Sequence, residues 1–317
     1  MTNWSDQEVD IERIDCTNRS FAITTAGSIE ALCSHIGRFG LLAPPILRHQ
    51  NQSYQVVAGF HRIDACRTLG WKRLWARLID ASDAQCAEIA VADNTGQRTL
   101  NWIETARAYA LLRPYCPDET ALLDCARALG LAAGPDILRK TTALLALPEP
   151  LQRWVEDDVL PIPMALELGK LEQPEDAFCL GELFRKLNLG LNRQRELLAF
   201  VSDIARRDHL PIRQLLQAPQ IVGILEDPKA DPPAKANRLR TLLRNLRYPK
   251  ITAFEAQYQR DIRELHLPKG VELVAPDHFE GSTWRLAIHF TNPEELGQQL
   301  KTVQGLDKHP VLLNWLR

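Results

Sequence analysis

The sequence predicts an α+β protein of more than one domain, and three observations lead to that prediction. A chain of 317 residues, 45% of them hydrophobic, is longer than one compact core usually serves. Short runs rich in β-branched and aromatic residues occupy residues 1–86, whereas Leu and Ala recur at three- and four-residue spacings through residues 87–225. A proline-rich segment, residues 226–237, predicts a linker before a tail over residues 238–317 that has helix and strand patterns of its own.

The composition of the whole chain excludes several classes of protein. No stretch approaches the roughly 18 apolar residues of a membrane-spanning helix, and the start, MTNWSDQEVDIERID, is acidic where a secretory signal would be basic and then apolar. We therefore expect a cytoplasmic protein. The seven cysteines form no CxxC pair and do not cluster with histidines, so we expect buried, reduced thiols and neither a disulfide framework nor a zinc site. Because the net charge is −2, any role in binding nucleic acid must rest on local segments.

A glycine between a strand and a helix is the first candidate site. SYQVVAG and KRLWARLI are predicted strands, and the helix between them starts at Gly59 and ends near Gly70. A helix N-terminus reached through a glycine presents free amides to an anion, and His61 and Arg62 add side-chain donors, so this turn predicts a phosphate site. The alternative is a tight turn in which Gly59 only permits the backbone conformation and Arg62 is solvated.

A pair of helices in the middle region is the second candidate site. Asp118 is a predicted N-cap for a helix that ends before Gly130, and a second helix follows Pro135. The inward side of the second helix is predicted to carry Ile137, Leu138, Thr141, Leu144 and Leu145. Its outward side is predicted to carry Asp136, Arg139, Lys140 and Thr142. This pattern is typical of a helix-turn-helix whose second helix faces DNA with Arg139, Lys140 and Thr142. Ordinary packing in a helical bundle gives the same pattern and remains the alternative.

The tail combines a basic helix with a small α-β-β-α unit. Arg240, Arg244 and Arg247 share one predicted helical face opposite four leucines, so that face could hold DNA phosphates without reading sequence, or could simply be a solvated surface. Alternating apolar residues over 284–290 predict a strand, and Pro293 with the acids after it predicts another helix. A two-stranded hairpin is marginal alone, so its apolar face is expected to pair with a second copy of itself.

Three motifs in order resemble those of the ParB family, which shares the ParB/sulfiredoxin superfamily N-terminal domain. They are RFGLLAPPIL (38–47), AGFHRIDA (58–65) and ADNTGQRTLNWIETARAYALL (92–112). The pair of helices discussed above lies where ParB-like proteins place a helix-turn-helix, and the tail resembles the ParB C-terminal dimerisation unit. The resemblance therefore covers nearly the whole chain and favours DNA binding over plain bundle packing.

The resemblance implies a CTP and Mg²⁺ site in the first domain. It places Gly59, His61 and Arg62 near the phosphates, and Gly40, Leu41 and Pro44 near the base. The third motif would add Asn94 on the metal side, Arg98 as a further nucleotide contact and Asp93 as the catalytic carboxylate.

Two departures from the family motifs bear on catalysis. Phe60 stands where partition proteins carry glutamate, and Asp93 replaces the usual glutamate, with one extra residue before Arg98. We therefore expect nucleotide binding with weak or absent CTP hydrolysis. Phe60 also replaces the nucleophilic cysteine that sulfiredoxins need, and Cys66 is expected to fill space, so sulfinic-acid reduction is excluded.

By this resemblance the chain is a nucleoid-associated homodimer that binds double-stranded DNA under the control of CTP, in plasmid or chromosome partition or related regulation. A ParA-type ATPase is a possible partner. Two alternatives stay open: a ParB-fold phosphotransferase acting on a small molecule, and a DNA-binding adaptor that needs no nucleotide.

Overall fold

A computed structural model describes residues 3–25, 28–276 and 283–315 of the chain. The chain divides into two compact units, Met1–Leu191 and Asn192–Arg317. Among the described residues, no helix is long and apolar enough to cross a membrane. The seven cysteines are free thiols in the structure. Cys66 and Cys86 are buried, whereas the other five, which were also expected to be buried, are half-buried.

A five-stranded mixed sheet forms the centre of the first unit. Its strands, in chain order, are β1 (Asn3–Asp10), β2 (Ile14–Asp15), β3 (Ile46–Gln50), β4 (Ser53–Ala58) and β5 (Arg73–Asp80). They lie in the order β1-β5-β3-β4-β2. Strand β4 is buried along almost its whole length because helices cover both faces of the sheet, which explains its continuous apolar run, YQVVA.

Four helices accompany the sheet: α1 (Glu30–Phe39), α2 (Phe60–Thr68), α3 (Asp83–Thr95) and α4 (Trp102–Leu112). Side chains of α1 and α2 pack with Val56 in one apolar core, whereas α3 and α4 pack with Val57 in the other. Neighbouring valines therefore point to opposite faces, as the pleat of a strand requires. Helix α2 begins and ends where the sequence predicts.

The second of these cores continues into the helical region without interruption. It runs from Cys86 and Ala87 of α3 to Leu122 and Leu138 in later helices. The expected boundary between residues 86 and 87 therefore falls inside a shared core, and the compact units divide at residue 191 instead. A change in periodicity marks a change of secondary structure, and it does not require a break in packing.

The remaining helices of the first unit are short: α5 (Glu119–Ala128), α6 (Pro135–Leu145), α7 (Glu149–Glu156), α8 (Ile162–Leu168) and α9 (Pro174–Lys186). Asp118 caps α5 by accepting a hydrogen bond from the Ala121 amide, as predicted. Residues 129–134 connect α5 to α6. Helix α6 buries Leu138, Thr141 and Leu144 and exposes Asp136, Arg139 and Thr142, as predicted. The remaining predicted residues, Ile137, Lys140 and Leu145, are half-buried.

In its described residues, the second unit has helices and one hairpin. Its elements are α10 (Leu191–Asp208), α11 (Ile212–Leu216), α12 (Pro219–Leu225), α13 (Pro232–Arg247), α14 (Pro249–Glu264), β6 (Val271–Val274), β7 (Arg285–Ile288), α15 (Pro293–Val303) and α16 (Pro310–Trp315). The order α14-β6-β7-α15 is the predicted helix, strand, strand, helix. Strands β6 and β7 pair antiparallel, with Val271 opposite Ile288. Residues 277–282 of the predicted tail lie outside the described residues.

The structure differs from the expected linker over residues 226–237. Only residues 226–231 lie between α12 and α13, and the remainder forms the first turns of α13. Asp231 caps that helix by accepting a hydrogen bond from the Ala234 amide, and Pro232 occupies the first helical position, where its missing N–H costs nothing. Prolines that look like linker residues in a composition window here start a helix.

Candidate functional site

The turn at Gly59 joins strand β4 to helix α2, and it lies very close to Pro45, the residue before β3. Gly59 has φ +94°, a left-handed conformation that favours glycine. A Cβ built at this position would lie 2.9 Å from Cβ of Pro45 and 3.0 Å from Nε of Arg62. Only a glycine therefore allows the first turn of α2 to sit against Pro45.

A cavity of about 400 Å³ opens beside this turn. It is bounded by residues from all three sequence motifs and from the segment 21–24. The predicted nucleotide-site residues that line it are Gly40, Leu41, Gly59, His61, Arg62, Asp93, Asn94 and Arg98. Pro44 is not among the lining residues, but its carbonyl accepts a hydrogen bond from Arg62 at 3.2 Å. Predicted residues up to 58 positions apart in sequence, from Gly40 to Arg98, thus meet around one cavity. Its volume lies in the usual range of ligand sites, about 300–1,000 Å³.

Arg62 is held from both sides at the floor of the cavity. Its Nη2 donates to Oδ2 of Asp93 at 2.7 Å, and its Nη1 donates to the carbonyl oxygens of Ala43 and Pro44. The two charged side chains are 15% and 20% exposed, so solvent screens this ion pair less than it would screen a surface pair. The predicted phosphate-binding cation and the predicted catalytic carboxylate are therefore paired with each other.

Asn94 and Arg98 are also fixed by neighbours. Oδ1 of Asn94 accepts a hydrogen bond from the Thr24 hydroxyl at 2.9 Å, and its Nδ2 donates to the Ala90 carbonyl at 2.8 Å. Arg98 makes two hydrogen bonds of 2.6 Å to the buried carboxylate of Glu104. Burial acts to raise the pKa of Glu104, but the hydrogen bonds and charge of Arg98, with further bonds from Asn101 and Thr25, outweigh it and hold that pKa below its ordinary value.

Several lining residues are not part of the predicted site. Phe21, Ile23 and Thr24 form one wall, and His35 and Gln97 also border the cavity. Thr24 reaches Asn94 across 70 positions of sequence, so no local pattern could have found it. Phe60 lines the cavity as well, and the Arg19 guanidinium lies over its ring at 5.0 Å from the centroid, which gives this aromatic residue a cation as its neighbour.

The residues present fit a nucleotide with a divalent cation. The first turn of α2 borders the cavity, where the free amides of a helix N-terminus favour an anion, and Arg62 supplies a planar cation for a phosphate. The oxygens of Asp93 and Asn94 are hard ligands of the kind Mg²⁺ takes together with phosphates. Within the described ranges, no three His, Cys, Asp or Glu side chains converge as a metal cage.

Comparison with known proteins decides the family of this domain. The sequence profile of the ParB N-terminal domain matches residues 2–95, a range that contains the Gly59 turn, Arg62, Asp93 and Asn94. Residues 2–95 match the ParB N-terminal domain family. The predicted resemblance is thereby confirmed, and the profile ends where helix α3 ends, so Arg98 lies just beyond it.

The ParB-like chain also matches whole proteins. The "Probable plasmid-partitioning protein ParB" of Thermus thermophilus is 28% identical over 249 residues, which are 69% of this chain and 82% of that protein. The "Nucleoid occlusion protein" of Bacillus subtilis is 31% identical over 190 residues, 59% of this chain and 65% of that protein. A structure of the C-terminally truncated chromosome-partitioning protein ParB from Caulobacter crescentus complexed with CTP-gamma-S covers 56% of this chain and 97% of that chain, at 24% identity and a TM-score of 0.28.

Helix α6 exposes two of the three side chains predicted to face DNA, Arg139 and Thr142, and leaves Lys140 half-buried. Arg139 and Lys140 both pair with Asp136, at 2.5 and 2.6 Å. The Arg139 side chain is 75% exposed and that of Asp136 is 59% exposed, and exposed pairs of this kind contribute little, about 0.3–0.5 kcal/mol. A DNA phosphate could therefore replace Asp136 as the partner of Arg139 and Lys140 at a low cost in free energy. Thr142 is exposed and donates its hydroxyl proton to the Leu138 carbonyl.

The three arginines of the predicted basic face of α13 are all ion-paired. Arg240 pairs with Glu196 at 2.8 Å, Arg244 with Glu255 at 2.8 Å, and Arg247 with Asp203. These acids lie on α10 and α14, outside the helix from which the phosphate-binding face was predicted. The two leucines at the centre of the opposite face, Leu239 and Leu243, are fully buried, as predicted. The arginine side of α13 is therefore largely charge-compensated within its own unit.

Proposed function

We propose that this chain is a ParB-like DNA-binding protein of DNA partition or segregation, whose hold on double-stranded DNA is governed by CTP and Mg²⁺. The nucleotide occupies the cavity beside Gly59, the α5 and α6 helices act as a helix-turn-helix, and the C-terminal α-β-β-α elements join two copies. Hydrolysis of CTP is weak or absent. This places the chain with the partition and nucleoid occlusion proteins that it resembles in sequence.

One observation carries the proposal. Three separate sequence motifs, which had been connected only by resemblance, meet around a single cavity inside a ParB N-terminal domain. The alternative in which Gly59 merely permits a turn gives no reason for His61, Arg62, Asp93, Asn94 and Arg98 to border the same space. A solvated Arg62 is also inconsistent with a side chain that is 15% exposed and holds three acceptors.

The chain's own residues suggest how a nucleotide is held. The α2 amides and Arg62 bind the phosphates, while Asp93 and Asn94 face the cation, which would neutralise part of the phosphate charge when bound. Because Arg62 and Asp93 are paired with each other, a nucleotide phosphate and its cation would draw on the two charges of an existing ion pair. Asp93 serves here to hold charge in place, and its short side chain leaves less reach toward an attacking water than a glutamate has.

The C-terminal elements offer a surface for a second copy. Leu286, Phe290, Leu300 and Leu313 are each 41–51% exposed in the described part of the tail. A hairpin of two four-residue strands is too small to be stable without further packing. A homodimer in which these apolar side chains cover one another satisfies both observations.

Nucleotide binding by calorimetry is the decisive test. CTP, ATP, GTP and UTP, each with Mg²⁺, are titrated into the full chain and into Arg62→Ala. We expect a CTP-selective signal that disappears in Arg62→Ala. Arg67→Ala is the matched control, since Arg67 lies on the same helix, is exposed and does not border the cavity.

The other outcomes separate the alternatives. No heat with any nucleotide would contradict the proposal and favour a DNA-binding adaptor. Turnover of a nucleotide in the absence of DNA, followed as transfer of phosphate to a small molecule, would favour a phosphotransferase.

A further inference from the structure

Strands β1 and β5 form a ribbon at one side of the five-stranded sheet, and one face of this ribbon carries two exposed tryptophans. Trp4 of β1 is 45% exposed and Trp75 of β5 is 59% exposed. Trp75 lies directly opposite Glu8, and opposed residues of an antiparallel pair point to the same face, as do Trp4 and Glu8 along β1. Both rings therefore lie on one side of the sheet. Large apolar side chains exposed on one face indicate an interaction surface.

The other face of the same ribbon is covered. Val9, Leu74, Ala76 and Leu78 of β1 and β5 belong to the apolar core that α1 and α2 close. On the tryptophan side, α3 and α4 pack over the neighbouring part of the sheet and reach β5 only at Ile79. Most of the ribbon on that side is therefore left open to solvent.

Charged side chains form an ordered pattern around the two rings. The Arg77 guanidinium lies 5.9 Å from the centre of the Trp4 ring. Two ion pairs of 3.0 Å cross the ribbon, but their side chains are 43–61% exposed, so they contribute little. The tryptophan side, here called the β1-β5 face, thus has a row of acids on β1 and a row of arginines on β5. The charged residues are Asp6, Glu8 and Asp10 on β1 and Arg73 and Arg77 on β5.

This pattern limits the kind of partner that the β1-β5 face can take. Three acids beside two arginines give no excess of positive charge, and a nucleic acid requires such an excess to neutralise its phosphates. Trp and Arg are enriched among the residues that carry the binding energy of protein interfaces. A protein surface with its own row of acids beside a row of cations is the complementary partner.

We propose that the β1-β5 face docks on the same face of a second copy of this chain. A two-fold axis parallel to the strands, midway between two stacked faces, places β1 of each copy over β5 of the other. Asp6 of one copy then lies over Arg77 of the other, because these two residues are opposite each other in the register. The acids thereby meet arginines, and all four tryptophans are covered.

Pairing of the free edge of β1 with its copy is the other way to join two chains here, since β1 is an edge strand. A symmetric antiparallel pairing centred on Gln7 would set Asp6 of each copy opposite Glu8 of the other. Pairings centred on Asp6 or on Glu8 would set that acid opposite itself. Like charges directly opposite one another destabilise a strand pair. The charges therefore favour stacking of faces over extension of the sheet.

The contact is separate from the nucleotide cavity. In the described part of the chain, β1 and β5 contribute no lining residue to that cavity. Because so much of the β1-β5 face is charged, we expect a modest affinity, which the proposed dimer of the tails would reinforce by raising the local concentration of first units. The inference uses the proposed function only in this respect.

Photo-cross-linking of the full chain tests the contact. The reporter p-benzoylphenylalanine stands in place of Trp4, which keeps an aromatic ring at that position, and the chain is irradiated without nucleotide. We expect a doubled chain on a denaturing gel, with the cross-link joining position 4 to β1 or β5 of the other copy. The same reporter in place of Tyr115, which is 42% exposed in the same unit, is the control and should give no doubled chain.

A charge exchange shows whether the contact is the one proposed. Asp6→Arg alone and Arg77→Glu alone each set like charges across the stacked faces, so we expect either to lower the yield of doubled chain by about tenfold. The two variants are then co-expressed with different tags and with the reporter in the Asp6→Arg chain. Opposite charges now meet between the two chains, while positions 6 and 77 within each chain remain alike in charge. Recovery of a doubled chain carrying both tags can therefore come only from a contact between copies.

Three results would overturn the proposal: no doubled chain, a cross-link to residues outside β1 and β5, or a yield that both single variants retain. Failure of the co-expressed pair to recover the product would overturn it as well, provided that circular dichroism shows both chains to be folded. If either variant does not fold, Asp10→Arg with Arg73→Glu repeats the exchange, because these residues are also opposite each other in the register. None of these results bears on nucleotide binding, so the proposed function is tested separately.

Discussion

Glu104 shows what a single buried charge contributes to this fold. Its side chain is 3% exposed, yet it joins the turn after α3, the N-terminus of α4 and the wall of the cavity through Arg98, Asn101 and Thr25. Asn101 and Glu104 also form a reciprocal capping pair that fixes the start of α4. The third ParB-like motif contains both residues, and the structure gives a physical reason for their spacing.

Replacing Glu104 by Gln should lower the free energy of unfolding by about 2 kcal/mol at neutral pH, because charge-assisted hydrogen bonds to Arg98 are removed. The pKa of Glu104 is lower in the folded chain than its ordinary value of 4.5, so its stabilisation is present above that pH and is lost as pH falls through the folded pKa. Denaturant unfolding at several pH values measures both effects. The acid slope should shrink in Glu104→Gln and persist in Glu149→Gln; an unchanged slope in the former would contradict this account.

Gly59 should tolerate no side chain. Gly59→Ala combines a left-handed φ with a contact of 2.9 Å to Pro45, so we expect at least tenfold weaker CTP binding and a loss of stability of about 1–2 kcal/mol from the backbone alone. Gly70→Ala is the control, since Gly70 has φ +75° at the other end of α2 and an added Cβ meets nothing within 4 Å. Calorimetry should show normal CTP binding in Gly70→Ala and impaired binding in Gly59→Ala. Equal impairment in both would mean that helix strain and not the close approach is responsible.

Among individual residues, the sequence predicts those that belong to a motif. It does not predict the residues that contact the motif in the folded chain. Gly59, Arg62, Asn94 and Arg98 could be found because they belong to short ordered motifs. Thr24 belongs to none, and its contact with Asn94 depends on how the chain returns to the same place. The pairing of Arg62 with Asp93 likewise follows from the position of α3 against β4, which no spacing reveals.

At the scale of elements, helices α6 and α13 show why an outward basic face is an incomplete signal. Both carry basic residues opposite a buried apolar face, and both faces were correctly predicted from periodicity. The cations of α6 pair with Asp136 on the same helix, whereas those of α13 pair with acids from other helices. The periodicity of apolar residues describes one helix at a time. It gives no information about the charged side chains that a neighbouring helix supplies.

This difference predicts unequal roles in DNA binding. Lys140→Ala and Arg139→Ala should each weaken binding to duplex DNA, and the slope of log affinity against log salt should decrease by about one for each DNA phosphate that is no longer neutralised. Arg240→Ala should leave the slope nearly unchanged, because Arg240 is already compensated by Glu196. Anisotropy titrations at several salt concentrations measure these slopes. A larger effect from Arg240 than from Lys140 would move the DNA interface to α13.

At the scale of the whole molecule, fold class was easier to predict than division into units. The α+β class and the order of elements in the tail follow from the periods of apolar residues. The positions of the breaks do not, because the core that contains Cys86 also contains Leu138, and because Pro232 begins a helix. The packing of side chains between elements decides where a chain divides into compact units. Local composition is only an indirect indicator of those boundaries.

The proposed homodimer can be tested on the tail. Leu286→Asp places a charge on an exposed position of β7 that the proposed dimer would bury, so sedimentation should show a shift from dimer to monomer. Leu42→Asp is the control, because Leu42 is 84% exposed at the cavity of the first unit. A Leu286→Asp chain that remains a dimer would show that other residues join the two copies.

The pairing of Arg62 with Asp93 has a consequence for which small anions the nucleotide-free chain binds. A cavity with an unopposed arginine and a helix N-terminus would attract sulfate and inorganic phosphate, which are small anions present in any cell or buffer. With its cation already balanced, the cavity offers such an ion little gain, since binding would leave the Asp93 carboxylate partly buried without a counter-charge. A ligand that brings its own cation replaces both members of the pair at once. We therefore expect the charge balance of the empty site to disfavour the commonest small anions, without any contact to a base.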